Sequence, residues 1–153
     1  MIKEKYPATE DARLILQNNL KAIREILNWT SSDLGNLIGV TKQTISNLET
    51  QNSRLTKLHY IALRTVIDFE IENLKLSDPD RAERAIMLLS FFDESEKLAA
   101  SENKSVNLEL INETSSLIAT SSSALNASKI IGSIMPVVGA ILMGALNSTK
   151  GKK

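Results

Sequence analysis

Apolar residues recur through this chain at spacings of three and four, and nowhere do they alternate strictly with polar ones. A period near 3.6 lines them up on one stripe of a helix, whereas a half-buried strand needs a period of two. The chain is therefore expected to be all-α. Leu, Ile and Ala carry the apolar content, against three Phe, two Tyr and one Trp, a palette that suits helices better than sheet. A length of 153 residues holds one compact domain of ordinary size, or a small domain with an appendage. No internal repeat stands out.

Capping residues divide the periodic stretches. Thr9 reads as an N-cap, with Glu10 and Asp11 in the first turn, where acids favour the positive end of the helix dipole. The first helix is expected to run to about Leu27, with Ala12, Leu16, Leu20, Ile23 and Leu27 on one stripe. Thr30 and Asp33 resemble a capping box that opens a short second helix through Ile38. Gly39 fits a left-handed residue after a helix end. Thr41 is a further N-cap, for a helix from Lys42 to about Glu49. After a polar loop, a fourth helix is expected to place Leu55, Leu58, Ala62, Val66 and Phe69 on one face. The Ser77-Asp78-Pro79-Asp80 run combines a cap with proline at the first helical position. The helix it opens should bury Ala82, Ala85, Leu89 and Phe92, with Ile86 and Leu88 widening the stripe. A Ser/Thr/Asn-rich stretch, 105–128, keeps a weak stripe of Leu110, Leu117 and Leu125. These signals divide the chain into a unit over 9–76, a helical linker or dimerisation segment over 77–104, and a C-terminal helical region over 105–153.

The informative unit is Trp29 to Glu49, two short capped helices joined through a glycine turn. Leu34, Leu37 and Ile38 are expected to face inward from the first, Ile45 and Leu48 from the second. Gly35 is small where the two helices approach closely. That leaves Lys42, Gln43, Thr44, Ser46 and Asn47 outward. Gln and Asn can pair bidentately with adenine and Lys with guanine, and a helix offering such groups from its first turns fits a major groove. Charge supports this. The chain balances 18 basic residues against 18 acidic ones, yet Arg13 to Arg64 holds Arg13, Lys21, Arg24, Lys42, Arg54, Lys57 and Arg64 against only Glu25, Asp33 and Glu49. Leu74 to Ser128 is acidic instead, and a DNA backbone feels the distribution rather than the sum.

From about Asp11 to Phe69 the chain resembles the lambda-repressor-like (Cro/cI, XRE-type) family of helix-turn-helix domains. The resemblance implies a sequence-specific DNA-binding transcriptional regulator, a repressor acting as a homodimer or higher oligomer on double-stranded DNA. It implies Lys42, Gln43, Thr44 and Asn47 as base-reading residues. Ser31 and Thr41, with Asn47 again, would steady the phosphates. Arg54 and Lys57 are well placed for phosphate too. Arg24 and Glu49 occupy the positions of a structural ion pair. Two departures stand out: Ser31 replaces the usual glutamine, and Thr50-Gln51 replaces a common Asn-Gly.

Other classes find little support. There is no cysteine and one histidine, His59, so neither a thiolate nor a multi-His metal site is possible. Without a nucleophile–base pair or a phosphate-cradling loop, no catalytic residue, metal or cofactor is expected. Asp93, Glu94 and Glu96 read as a solvated face, Trp29 as a core residue and His59 as a surface or partly buried helix residue. The charged start carries no secretory signal, which points to a cytoplasmic protein. Ile130–Leu146 is seventeen residues without a charge. As a helix it would span about 26 Å, at the short edge for a bilayer. Gly132, Pro136, Gly139 and Gly144 would admit a second helix. Lys150, Lys152 and Lys153 beyond it oppose the positive-inside tendency. The segment reads as a buried packing helix, and membrane association through 130–146, tethering a regulator or an interaction module to the inner face of the membrane, stays open.

Overall fold

A computed structural model describes residues 4–142, and those residues form helices and connecting loops. The elements are α1 (Glu10–Asn18), α2 (Leu20–Ile26), α3 (Ser31–Ile38), α4 (Lys42–Glu49), α5 (Lys57–Ser77), α6 (Pro79–Ser101), α7 (Leu108–Ala119) and α8 (Ala124–Leu142). The all-α expectation holds.

Local chemistry sets most of the helix starts. Thr9 accepts from the Ala12 amide, Thr41 from Thr44, Thr56 from His59 and Asp78 from Arg81, with Pro79 opening α6. Thr30 and Asp33 form the full capping box, each side chain bonding to the other residue's backbone N–H. The single first helix expected from the stripe is instead two. Asn19, at φ −119° and ψ 15°, separates α1 from α2. Its amide Nδ2 donates to the Ile15 carbonyl at 2.8 Å and to Asn112 of α7 at 2.9 Å. A short amide competing for a helical carbonyl bends the chain where apolar periodicity cannot show it.

One core runs through the whole described chain. It starts with Ala12, Ile15, Leu16, Leu20, Ile23 and Leu27 and takes in Leu34, Ile45 and Leu48. It continues through Leu63, Ile67, Leu88, Phe91 and Phe92 to Ile111, Ile118 and Ala127. Helix α6 is central to it, packing against α1, α2, α5, α7 and α8. Its Ala82, Ala85, Leu88, Leu89 and Phe92 are buried, but Ile86 is exposed. Trp29 packs against the same core.

Three further orientations differ from the sequence reading. Helix α5 buries Tyr60, Leu63, Ile67, Ile71 and Leu74, leaving Leu58 and Phe69 74% and 69% exposed. Leu37 of α3 is half-exposed rather than inward. In the C-terminal stretch Leu117 and Leu125 face solvent, while Ile111, Thr114, Ser115 and Ile118 are buried. The hydroxyls of Thr114 and Ser115 donate to the Leu110 and Ile111 carbonyls, both at 2.8 Å, so they enter the core without an unmet hydrogen bond.

Ile130, Ile131, Ile134 and Met135 of α8 are partly buried against the core. A Cβ at Gly132 would meet nothing within 4 Å, so among the described residues none presses there. Among the described residues no helix is long and apolar enough to cross a membrane. Gly144, Lys150, Lys152 and Lys153 lie outside the described residues.

Candidate nucleic-acid interface

The turn between α3 and α4 depends on two glycines for different reasons. Gly39 sits at φ +78°, a left-handed conformation that costs any residue with a Cβ. Gly35 is needed for space: a Cβ there would lie 2.7 Å from the Val40 carbonyl oxygen and 3.3 Å from Thr41 backbone atoms. The two helices therefore close tightly. Ile45 and Leu48 fix α4 by one side. The opposite side is polar by elimination, since α4 has no other apolar residue.

That polar side is reachable from solvent. Thr41, Lys42 and Gln43 are exposed, while Thr44, Ser46 and Asn47 are half-buried. Gln43 Nε2 donates to Asn47 Oδ1 at 3.0 Å, and the Thr41 and Thr44 hydroxyls lie 2.9 Å apart. The four residues thus form two ordered pairs along one helix face. Ser31, in the first turn of α3, is half-buried.

The far end of α4 is held by charge. Arg24 Nε lies 2.6 Å and Nη2 3.1 Å from the Glu49 carboxylate oxygens, and Nη1 donates to the Trp29 carbonyl at 2.8 Å. Both side chains are close to buried, 12% and 10% exposed. The hydrogen bond to Glu49 raises the pKa of Arg24 further above its ordinary value. A two-point contact of this kind fixes direction as well as distance. It ties α2, the loop at Trp29 and the last turn of α4 into one unit.

Arg54 and Lys57 are exposed, and each already has a partner. Arg54 Nη2 lies 3.2 Å from Glu10, and Lys57 Nζ lies 3.3 Å from Glu4. The acids Asp93, Glu94 and Glu96 do not converge on one another. Asp93 meets Arg64 at 3.6 Å, Glu94 meets Lys97 at 3.7 Å, and Glu96 accepts from the Thr9 hydroxyl. Among the described residues no group of His, Asp and Glu could hold a metal. His59 is half-buried.

Sequence reading missed Gln17. Its side chain is buried in α1, and Nε2 donates to the carbonyls of Leu48 at 3.1 Å and Ser53 at 2.6 Å. Its Oε1 accepts from the Leu55 amide at 3.0 Å. One amide therefore satisfies three backbone groups and closes the loop that joins α4 to α5. Gln17 directly follows Leu14, Ile15 and Leu16 but opens a polar run with Asn18 and Asn19, so the local pattern gives no signal of its burial. The same loop places Gln51 at φ +59°. This is the site where the resemblance showed Thr50-Gln51 in place of Asn-Gly, and an L side chain occupies a conformation that glycine takes freely.

No curated protein and no solved structure matches the chain. The model of the helix-turn-helix family does match, over residues 20–72, from the start of α2 into α5. Residues 20–72 thus match helix-turn-helix domains of the Cro/cI, XRE-like type, a family of DNA-binding transcription regulators rather than a class of enzymes.

Proposed function

We propose that this chain is a sequence-specific repressor that acts in the cytoplasm, inserts α4 into the major groove and binds as a homodimer. The observation that carries this reading is the division of α4. Ile45 and Leu48 anchor it in the core, while Lys42 and Gln43 stand in solvent and Thr44 and Asn47 lie beside them. Gln43 and Asn47 have the amides that pair with adenine, and Lys42 can reach guanine. Ser31 and Thr41 supply hydroxyls for phosphates at the two helix starts, and Arg54 and Lys57 add charge. Phosphate contacts contribute affinity and register, while base contacts choose the sequence.

A dimer follows from information content: one eight-residue helix reads only a few base pairs, too few to select a site, so two half-sites are needed. Repression then results from occluding a promoter. Helix α6 lends little surface to such a dimer, because it is spent on the chain's own core. Among the described residues the most exposed large apolar side chains, Leu76, Leu58 and Phe69, lie on α5. The partial burial of Ile130, Ile131 and Ile134 favours packing over membrane association for the first part of the 130–146 segment.

Selection of bound sequences from a random duplex pool tests the reading. The full chain should enrich an inverted pair of half-sites, and Gln43→Ala with Asn47→Ala should erase preference at particular positions while leaving the circular dichroism spectrum intact. A pool that remains random, or a motif unchanged by both substitutions, would overturn it.

A further inference from the structure

Neither Arg54, in the loop before α5, nor Lys57, in its first turn, stands alone. Their partners Glu10 and Glu4 both come from the N-terminal segment, which the structure fastens at several points. The Tyr6 hydroxyl donates to Asp68 of α5. The Tyr6 ring lies under the Arg64 guanidinium, 5.3 Å from its centre. Arg64 is itself held by the Tyr60 hydroxyl at 3.0 Å and by Asp93 at 3.6 Å. Thr9 caps α1 and donates to Glu96 of α6. Glu4 is thus carried on a strap whose course is fixed by contacts to α5 and α6, and Glu10 stands where that strap enters α1.

We propose that Glu4 and Glu10 are affinity-determining residues that hold down binding to DNA of any sequence by occupying Arg54 and Lys57 in the free protein. The inference rests on the reading that these two cations contact phosphates. When DNA arrives, each cation exchanges a carboxylate for a phosphate. The carboxylate left behind takes up a cation from solution, which cancels one of the counterions released from the duplex. Its charge also stands within a Debye length, about 10 Å, of the DNA backbone. Each acid therefore weakens binding and flattens the salt dependence. Because phosphate contacts are blind to sequence, the acids lower affinity for every duplex while leaving base contacts on α4 untouched. The result is a larger share of the total affinity drawn from sequence.

Titrating the full chain with a random-sequence duplex, followed by fluorescence anisotropy between about 50 and 200 mM salt, tests this. Glu4→Gln and Glu10→Gln keep the side-chain size and remove the charge. Each is expected to tighten binding by about two- to five-fold, the factor that one exposed ion pair is worth. Each should also steepen the plot of log affinity against log salt by up to about one. Tyr6→Phe, which cuts the tie to Asp68, should shift binding in the same direction as Glu4→Gln and add nothing to it. Should Glu10→Gln disturb α1, Glu4→Gln reads the effect alone, because Glu4 lies outside any helix. Arg54→Ala and Lys57→Ala separate the two levels of the argument. If both weaken binding and flatten the slope while the glutamine variants change nothing, the governing role of the acids is overturned and the phosphate contacts stand. If neither lysine nor arginine substitution alters the slope, the phosphate reading falls and this inference falls with it.

Discussion

Helices α4 and α5 are neighbours in the chain and differ in how they meet the core. Helix α4 has eight residues, of which only Ile45 and Leu48 are apolar, and both are buried. Helix α5 has twenty-one, with apolar side chains on more than one side. It buries the stripe through Tyr60, Leu63, Ile67, Ile71 and Leu74 and leaves Leu58, Phe69 and Leu76 in water, Leu76 at 92% exposure. A helix with a single apolar pair has one way to sit, and everything else it carries becomes available to a partner. A helix with two apolar stripes can sit two ways, and its neighbours choose. In this fold the neighbour is α6, whose Leu88, Leu89 and Phe92 join the same core as the buried stripe of α5.

Truncating each stripe of α5 in turn should separate the two helices' modes of packing most clearly. Leu63→Ala should cost about 2–5 kcal/mol in urea unfolding, the usual range for a buried leucine. Phe69→Ala, measured on the same chain, should change stability by no more than about 0.5 kcal/mol, as exposed positions do. Equal losses would mean that the two stripes share the core. Helix α4 is tested next through its charged anchor. Arg24→Ala should cost about 3 kcal/mol, toward the lower end of the range for a buried pair because the guanidinium keeps some exposure. A double-mutant cycle with Glu49→Ala should then show the two losses to be strongly non-additive, and additive losses would reject the pair.

The loop that joins the two helices offers two finer tests of opposite sign. Gln17→Leu should cost about 1–3 kcal/mol, because it strips the Ser53 carbonyl and the buried Leu55 amide of their partner and leaves the Leu48 carbonyl with the Gln51 amide alone. It should also weaken DNA binding by shifting Arg54, which an unchanged gel-shift titration would contradict. Gln51→Gly relieves a left-handed L residue and should raise stability by up to about 1 kcal/mol in the same urea assay; a loss would show that the side-chain bond from Gln51 to the Glu49 carbonyl outweighs the strain.

The smallest effect expected is a pH dependence at the start of α3. The Thr30 backbone N–H, and its hydroxyl after it, hold the Asp33 carboxyl below the usual carboxylate range. A depressed folded-state value means that its contribution is full above the unfolded-state value and is lost as pH falls through the folded-state one. Asp33→Asn should therefore reduce the acid-side slope of stability, and an unchanged slope would remove Asp33 from the account.

Much of the candidate interface was legible because it is local. Thr30, Asp33, Gly39 and Thr41 act on backbone groups within a few residues of themselves, so their pattern alone places the ends of α3 and α4. The inward pair Ile45 and Leu48 followed from the scarcity of other apolar residues. Leu37, Leu58 and Phe69 were misassigned because helical spacing admits more than one stripe where apolar residues are plentiful. Thr114 and Ser115 were overlooked for a related reason: their hydroxyls bond to carbonyls of their own helix, so polar residues fill a core position. Gln17 and the acids opposite Arg54 and Lys57 escaped notice because each pairing joins residues far apart in the chain.

Local sequence was enough to give the helical character of the described residues, the limits of α3 and α4, and the side chains that α4 offers outward. Those features depend on hydrogen bonds and periodicities a few residues long, which the chain carries wherever it goes. Packing in three dimensions selected which stripe of α5 enters the core, joined α6 to α8 to that core, and set Glu10 and Glu4 against Arg54 and Lys57. Each of these is a choice among surfaces of similar chemistry, and it is made by what lies opposite once the chain has closed on itself.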